Sequence, residues 1–333
     1  MEIRTHILEL AKKVKGRVIL PESYDTRTLK AAEMLVKDKI ASVILPTTNV
    51  DLLKKTAADE KIDLSGIELI TIDTNILDKN KVEAFIEARS KKGLSREDVL
   101  KLLQNPLYFA MMYLKSGKCD ACVCGAVADT ADVLRASIQV IGTAEGIKLI
   151  SSYFLMIPPA DHKIAKEPVL FADCGVNPDP DAFGLKDIGI STVSSFNKLF
   201  PGKQAKVSFL SFSTKGSAKH KNLDKVIEAT NLVKEYFKDR KDVSVDGELQ
   251  FDASVVAEIG KRKAPDSQVA GQANILVFPD LNAGNIGYKL AERYGGFQAL
   301  GPIIQGLSLP VSDLSRGCKA EDIYLVSAIM LLK

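Results

Sequence analysis

The 333-residue chain is 46% apolar and 26% charged, which is typical of a globular protein and long enough for two domains. Its 45 basic and 42 acidic residues give a net charge of +3, too balanced to indicate binding to nucleic acid or a membrane surface. No apolar run has the length of a membrane span, and the amphipathic first residues do not look like a secretion signal. We therefore expect a cytoplasmic protein.

Strand-like and helix-like segments alternate along the first 148 residues. The expected strands are 17–21, 41–46, 68–72 and 120–125, and the expected helices are 5–14, 25–37, 50–59, two or three within 79–117, and 130–147. Alternation of this kind predicts a mostly parallel sheet with helices on both faces.

The pattern changes near residue 150. Two apolar strands, 153–158 and 168–172, are joined by a short polar loop that suits an antiparallel pair. Alternation then resumes with helices at 181–199, 223–238, 253–261 and 284–294 and strands at 206–212, within 243–251 and at 273–278. We predict an α/β protein whose first domain is 1–148 plus 301–333, with a final helix at 323–332, and whose second domain is 149–300.

The five cysteines fit a reducing compartment. Cys119, Cys122 and Cys124 lie close together, and Cys174 and Cys318 lie apart. An odd count argues against a disulfide framework, and the spacing lacks the second pair that a zinc site would need. We predict buried thiols and no metal site.

The segment 311–322 combines a hydroxyl at Ser315, a cation at Arg316, a flexible Gly317 and a carboxylate at Asp322 just before the final helix. A hydroxyl, a guanidinium and a helix N-terminus suit an anion. The alternative is ordinary loop chemistry in which Asp322 complements the helix dipole.

A second polar loop, 211–220, leaves a strand and precedes a helix. Its Ser213, Thr214, Lys215 and Gly216 have the side chains and flexibility to hold phosphate at the carboxyl end of a strand, although the P-loop pattern is absent.

Two arginines follow similar loops. Arg135 would lie early in the helix after Gly125, and Arg293 at the end of the helix after Asp280. Either could be a solvated or dipole-pairing cation instead. The three histidines are scattered, so a carboxylate is the natural candidate for a general base.

Five motifs in order carry a resemblance that spans essentially the whole chain. They are SFLSFSTKGSAK (208–219), DGELQFDA (246–253), KAPDSQVAG (263–271), FPDLNAGNIGYK (278–289) and DLSRGC (313–318). Together they resemble phosphotransacetylases (phosphate acetyltransferases) of the short form.

The resemblance implies two α/β domains with mostly parallel sheets flanking a cleft, as in isocitrate and isopropylmalate dehydrogenases, and a homodimer. It implies the reversible reaction of acetyl-CoA with phosphate to give acetyl phosphate and CoA, without a cofactor. It assigns catalytic roles to Ser315, Arg316 and Asp322, and substrate-binding roles to Arg135, Arg293 and, less securely in register, Arg89. Ser213, Thr214, Lys215 and Gly216 are further candidates for substrate binding.

We interpret these residues as a centre for direct attack by the CoA thiolate in a ternary complex. Asp322 would accept the thiol proton, Ser315 would stabilise the oxyanion, and Arg316 would hold phosphate. An acyl-enzyme on Cys318 or Cys124 is the alternative mechanism. A longer acyl group, as in phosphate butyryltransferases, and a CoA-binding protein without activity are the alternative functions.

The chain departs from the family pattern at three positions near these residues. Asp129 replaces a common Ser, Ala136 a common Pro, and Lys319 a small hydroxyl residue. None of these changes removes a proposed catalytic group.

Overall fold

The computed structural model describes residues 3–332, which form eleven strands and thirteen α-helices. The strands are β1 (Arg17–Ile19), β2 (Ser42–Thr47), β3 (Glu68–Thr71), β4 (Ala121–Val123), β5 (Ser151–Ile157), β6 (Val169–Ala172), β7 (Ala205–Leu210), β8 (Val243–Leu249), β9 (Ile275–Val277), β10 (Gln298–Gln305) and β11 (Val311–Ser312).

The helices are α1 (Ile3–Val14), α2 (Thr26–Lys37), α3 (Val50–Asp59), α4 (Lys79–Ser90), α5 (Arg96–Leu102), α6 (Pro106–Lys115), α7 (Thr130–Val140), α8 (Ala182–Leu199), α9 (Lys221–Tyr236), α10 (Phe251–Val255), α11 (Ala257–Lys263), α12 (Leu281–Arg293) and α13 (Ala320–Met330). Many begin after a polar residue whose side chain accepts a free backbone N–H, as Asp25, Asn49 and Asp181 do. No helix within residues 3–332 is long and apolar enough to cross a membrane.

The chain divides into two compact units. Unit 1 comprises residues 1–144 and 307–333, and unit 2 comprises residues 145–306. The predicted boundaries at 148 and 300 lie near these positions, but residues 301–306 belong to unit 2. The reason is β10, which pairs with β5 from Gln298 to Gln305 and so continues past the predicted boundary.

Unit 1 holds a five-stranded sheet in the order β11-β4-β1-β2-β3, and every pairing in it is parallel. Strand β4 is completely buried and apolar, and every residue of β2 except Ser42 is buried, as expected for a sheet covered by helices on both faces. Helix α6 is buried along most of its length and, with α4, α5 and α7, forms the core on one face. Its burial explains the continuous apolar sequence of that segment.

Unit 2 holds a six-stranded sheet in the order β10-β5-β6-β9-β7-β8. The pairings of β10 with β5 and of β5 with β6 are antiparallel, and the others are parallel. The predicted antiparallel pair is therefore confirmed. The α/β class with mostly parallel sheets is also confirmed, while β10 and β11 were not predicted.

Candidate active site

In unit 1 the chain runs from β1 outward to β2 and β3, and then returns to place β4 on the other side of β1. The direction in which successive strands are added to the sheet thus reverses between β1 and β4. In open α/β sheets, ligands bind at the carboxyl ends of the strands beside such a reversal. The loops that follow β1, β4 and β11 meet at this edge, and the last of them carries Ser315 and Arg316.

Glu22, in the loop after β1, organises the loop after β4. Its carboxylate accepts the backbone N–H groups of Ala126, Val127 and Ala128 at 2.8, 3.0 and 2.8 Å. Three N–H groups that converge on one carboxylate form a small anion-binding nest. Because the chain fills this nest with its own side chain, the loop is fixed ahead of α7.

Asp313 joins the loop after β11 to the first residue of α7. Its side chain is completely buried, and one carboxyl oxygen accepts the Thr130 hydroxyl at 2.6 Å. Burial raises the pKa of Asp313 to about 6, although the hydrogen bond from Thr130 acts in the opposite direction. Gly125 has φ +101°, and a Cβ there would lie 2.0 Å from the Asp313 carboxyl oxygen. Only glycine therefore allows the two loops to approach so closely.

Ser315, Arg316 and Gly317 form an exposed turn. The carbonyl oxygen of Ser315 accepts the N–H of Cys318 at 2.8 Å, and its hydroxyl oxygen lies 3.3 Å from the N–H of Gly317. The Arg316 guanidinium extends to the loop after β4, where it pairs with Asp129 at 2.6 Å. The structure thus presents a hydroxyl and a guanidinium in one exposed turn, and their role in binding an anion stays a prediction.

Arg27, in the first turn of α2, holds this turn in place. Its guanidinium donates to the carbonyl oxygens of Arg316 and Cys318 at 2.7 and 3.1 Å, and to that of Ala126 at 2.7 Å. Asp25 binds the same guanidinium at 2.7–2.9 Å. Sequence reasoning missed Arg27, because its partners lie about 100 and 290 positions away and leave no local signal.

Asp322 is the third residue of α13 and lies half-buried behind the turn. Its carboxylate accepts the backbone N–H of Lys319, the residue before the helix, at 2.8 Å. This is one half of a capping box, since a lysine side chain has no acceptor for the reciprocal bond. The structure thus shows the capping role of Asp322, and its role as a base stays a prediction.

The arginines predicted at Arg135 and Arg89 both lie near one buried tyrosine. Burial raises the pKa of Tyr108, while the charges of Arg135 and Arg89 lower it. Arg135 pairs with Asp132 at 2.5 Å, and the ε nitrogen of Arg89 is buried without a hydrogen-bond partner among residues 3–332. The two guanidiniums therefore both act on Tyr108 in unit 1, together with the carboxylate of Asp132.

The Ser213–Gly216 loop of unit 2 uses its donors internally. The Ser213 hydroxyl and the Gly216 N–H both reach the Glu248 carboxylate, at 3.0 and 2.7 Å, and Lys215 pairs with Asp246. These donors are therefore bound by carboxylates of the protein itself. Substrate binding by Ser213, Thr214, Lys215 and Gly216 stays a prediction, and this geometry gives the loop a structural role.

Unit 2 has an open cavity of about 1130 Å³ at the carboxyl ends of β7 and β9. Its walls include Ser211 and Phe212 after β7, and Asp280 and Asn282 after β9. Asp280 also caps α12 by accepting the N–H of Ala283 at 2.9 Å. Arg293 ends that helix with a largely exposed side chain 3.4 Å from Glu292, so its role with substrate stays a prediction.

The cysteines behave as buried thiols. All five are free and buried, and Cys122 lies within β4. Among residues 3–332, no group of three or more His, Cys, Asp and Glu side chains is arranged to hold a metal ion.

Comparison with known proteins identifies the family. The profile described as "Phosphate acetyl/butaryl transferase" matches residues 2–331. The phosphate acetyltransferase of Clostridium acetobutylicum is 43% identical over 333 residues, which cover 100% of this chain and 98% of that protein.

Two solved structures extend the comparison. A phosphotransacetylase from Streptococcus pyogenes superposes with a TM-score of 0.90 at 40% identity, covering 100% of this chain and 98% of that one. A 4-hydroxythreonine-4-phosphate dehydrogenase from Klebsiella pneumoniae has a TM-score of 0.54 at 10% identity over 96% of this chain and 98% of that one, which indicates a shared fold alone. The chain therefore belongs to the phosphate acetyl/butaryl transferase family of acyltransferases.

Proposed function

We propose that this chain is a phosphate acetyltransferase that moves an acetyl group reversibly between CoA and inorganic phosphate. The observation that carries the proposal is the exposed Ser315–Arg316 turn beside the reversal point of the unit 1 sheet. Family membership and the 43% identity to a phosphate acetyltransferase support the same reaction. Arg135, Arg89 and Arg293 are proposed to bind phosphate groups of the substrates.

In the proposed mechanism, the CoA thiol loses its proton to Asp322 and its sulfur attacks the carbonyl carbon of acetyl phosphate. Ser315 donates a hydrogen bond to the oxyanion of the tetrahedral intermediate. The bond between the carbonyl carbon and the phosphate oxygen then breaks, and phosphate leaves on Arg316. In the reverse direction a phosphate oxygen attacks acetyl-CoA, the C–S bond breaks, and the thiolate recovers its proton from Asp322.

The thiols of the protein support direct transfer over an acyl-enzyme. Burial raises the pKa of Cys318 to about 11, despite the opposing charge of Arg27. A hydrogen bond with Cys122 and burial raise the pKa of Cys124 well above its ordinary value. Both thiols are thus protonated at neutral pH and are poor nucleophiles. Incubation with labelled acetyl-CoA without phosphate should leave no acetyl group on the protein, and a stable acetylated cysteine would refute direct transfer.

Thiol release from acetyl-CoA on addition of phosphate is the assay that tests the function. The wild-type protein should release CoA and form acetyl phosphate, and it should be slower with butyryl-CoA. Arg316→Lys keeps the charge but cannot make a bidentate contact with phosphate, so it should lose most of the activity. Wild-type rates in Arg316→Lys would show that Arg316 does not bind phosphate.

We also infer a homodimer that works in the cytoplasm without a cofactor. An apolar stripe along α12 and the residue after it supports the dimer: Ile286, Leu290 and Tyr294 recur at every fourth residue and are 57%, 51% and 90% exposed. Sedimentation should give twice the 36.2 kDa chain mass, and Leu290→Glu should shift it towards the monomer. A wild-type monomer would refute the dimer.

The five free thiols support a reducing compartment.

A further inference from the structure

Asp129 occupies the capping position before α7 but does not cap the helix. Its backbone is extended, with φ −72° and ψ 142°, yet its side chain accepts no N–H of the first turn. Aspartates at the same position of other helices behave differently: Asp25, Asp181 and Asp280 accept such groups at 2.8, 2.7 and 2.9 Å. The Asp129 carboxylate is therefore committed elsewhere, and its partner is the Arg316 guanidinium.

In the Asp129–Arg316 pair, the backbone of Arg316 is fixed and its side chain can move. The carbonyl oxygen of Arg316 is held by Arg27 at 2.7 Å, so the backbone of the turn is anchored. The guanidinium itself contacts Asp129, with Nη1 2.6 Å from the carboxylate, and the two side chains are 69% and 61% exposed. Solvated ion pairs of this kind are weak, so a better ligand can displace the carboxylate.

We infer that Asp129 competes with phosphate for Arg316 and so sets the affinity of the site for inorganic phosphate and acetyl phosphate. The inference rests on the proposed function, in which Arg316 binds phosphate. A bidentate phosphate contact uses two N–H groups of the guanidinium. Phosphate must therefore displace the Asp129 carboxylate from Nη1 of Arg316 or bind close to that carboxylate, where the two negative charges repel. Displacement and repulsion each weaken phosphate binding, and neither affects the chemistry of the CoA thiol.

The test replaces Asp129 with Asn, which keeps the shape and caps helices well, and with Ser, which caps equally well. Both variants should bind inorganic phosphate about three- to tenfold more tightly in equilibrium titration, as expected for removal of a weak competing pair. The KM for phosphate and for acetyl phosphate should fall by a similar factor, with the KM for CoA unchanged.

Asp51→Asn is the matched control. Asp51 lies in the exposed first turn of α3, so this variant changes the net charge by the same amount elsewhere on unit 1. It should bind phosphate as the wild type does. Equal improvement in Asp51→Asn would reduce the effect to net charge and overturn the inference.

A double variant assigns the effect to Arg316. In an Arg316→Ala background, Asp129→Asn should no longer change phosphate binding, because the guanidinium for which they compete is absent. An unchanged or weaker phosphate affinity in the single Asp129 variants would overturn the inference and would indicate that Asp129 only positions Arg316. Failure of the proposed function is recognised separately, since the wild-type protein would then release no thiol from acetyl-CoA and phosphate.

Discussion

The side chains of the proposed centre differ in what binds them before any substrate arrives. Ser315 is exposed, and its hydroxyl oxygen contacts only the N–H of Gly317 among the described contacts, at 3.3 Å. Asp322 is half-buried and accepts the N–H of Lys319 with one oxygen, which leaves the other oxygen for a proton. The Ser315 hydroxyl does not titrate near neutral pH, whereas the CoA thiol, whose proton Asp322 is proposed to accept, does. The pH dependence of the rate therefore distinguishes the proposed roles of Ser315 and Asp322.

Replacement of Ser315 and Asp322 should therefore give different pH–rate profiles. Ser315→Ala should reduce turnover by about two to three powers of ten at every pH, as expected for a lost oxyanion donor. Asp322→Asn should lose activity most severely near neutral pH. Its deficit should shrink as pH approaches the thiol pKa of about 8.5, because hydroxide then supplies the thiolate. The measurement is kcat between pH 6 and pH 9 for both variants.

The capping role of Asp322 needs its own control. Asn at the same position retains a side-chain oxygen for the Lys319 N–H, so Asp322→Asn should unfold at nearly the wild-type urea concentration. A deficit that stays constant with pH would assign Asp322 to capping or orientation. The proton acceptor would then be phosphate or a bound water.

At the scale of elements, two buried carboxylates join secondary structures, and their surroundings destabilise one carboxylate and stabilise the other. Asp313 joins the end of β11 to the start of α7 through Thr130, and it has no cationic partner within residues 3–332. Asp246, in β8, pairs with Lys215 after β7 and Lys234 in α9. The first carboxylate is destabilised by burial, and the second is stabilised by two cations. Stability should therefore respond to pH in opposite directions at the two places.

Asp313→Asn should remove a pH-dependent loss of stability. The pKa of Asp313 is raised to about 6, so its favourable contribution is complete below the unfolded pKa of about 4 and is lost as pH rises through 6. Asn keeps an oxygen for Thr130 and has no charge to bury. The free energy of unfolding of the variant relative to wild type should increase by about 1–2 kcal/mol between pH 5 and pH 7.5. Urea denaturation at both values measures it, and parallel curves would contradict it.

Asp246→Asn should show the opposite trend. Burial alone would raise the pKa of Asp246, but hydrogen bonds from Lys215 and Lys234 lower it to about 2. Its stabilising charge is therefore present above pH 4 and is lost as pH falls through 2. At pH 7 the variant should lose about 1–2 kcal/mol, a value reduced for the partial exposure of both lysines. The difference from wild type should narrow in urea titrations below pH 4, and a constant difference would exclude the ion pairs as its cause.

At the scale of the whole molecule, the sequence predicted the fold wherever apolar periodicity was continuous. The antiparallel pair β5–β6 follows such a pattern, and so do the two or three helices expected within 79–117, which are α4, α5 and α6 in the structure. The pattern fails at β10, because Gly301-Pro302 reads as a break. In the structure β10 accommodates this dipeptide with a shift of register between Leu300 and Ile303. Strand β11 has two residues and is too short to show any periodicity.

The candidate site was predictable to the extent that its chemistry is local. Ser315, Arg316 and Asp322 fall in one short segment before a predicted helix, where their side chains suit either an anion or ordinary loop chemistry, and the five motifs of the family then favoured the anion. Arg27 and Glu22 were missed, since each acts on backbone groups about 100 or more positions away. Such contacts depend on which strands become neighbours in the sheet. The order of strands β1, β4 and β11 cannot be obtained from periodicity alone.

The proposed reaction should proceed without a bound metal, and this can be tested on the whole protein. Within residues 3–332 the carboxylates, thiols and imidazoles form no group suited to a metal ion, and arginines are available to balance the phosphate charge. Protein treated with a chelator and then desalted should keep its full rate of thiol release, with or without added reductant. Desalting matters because an anionic chelator could itself occupy Arg316. Loss of activity that is restored by zinc or magnesium would contradict the prediction. It would mean that side chains distant from one another in the sequence bind a metal ion together.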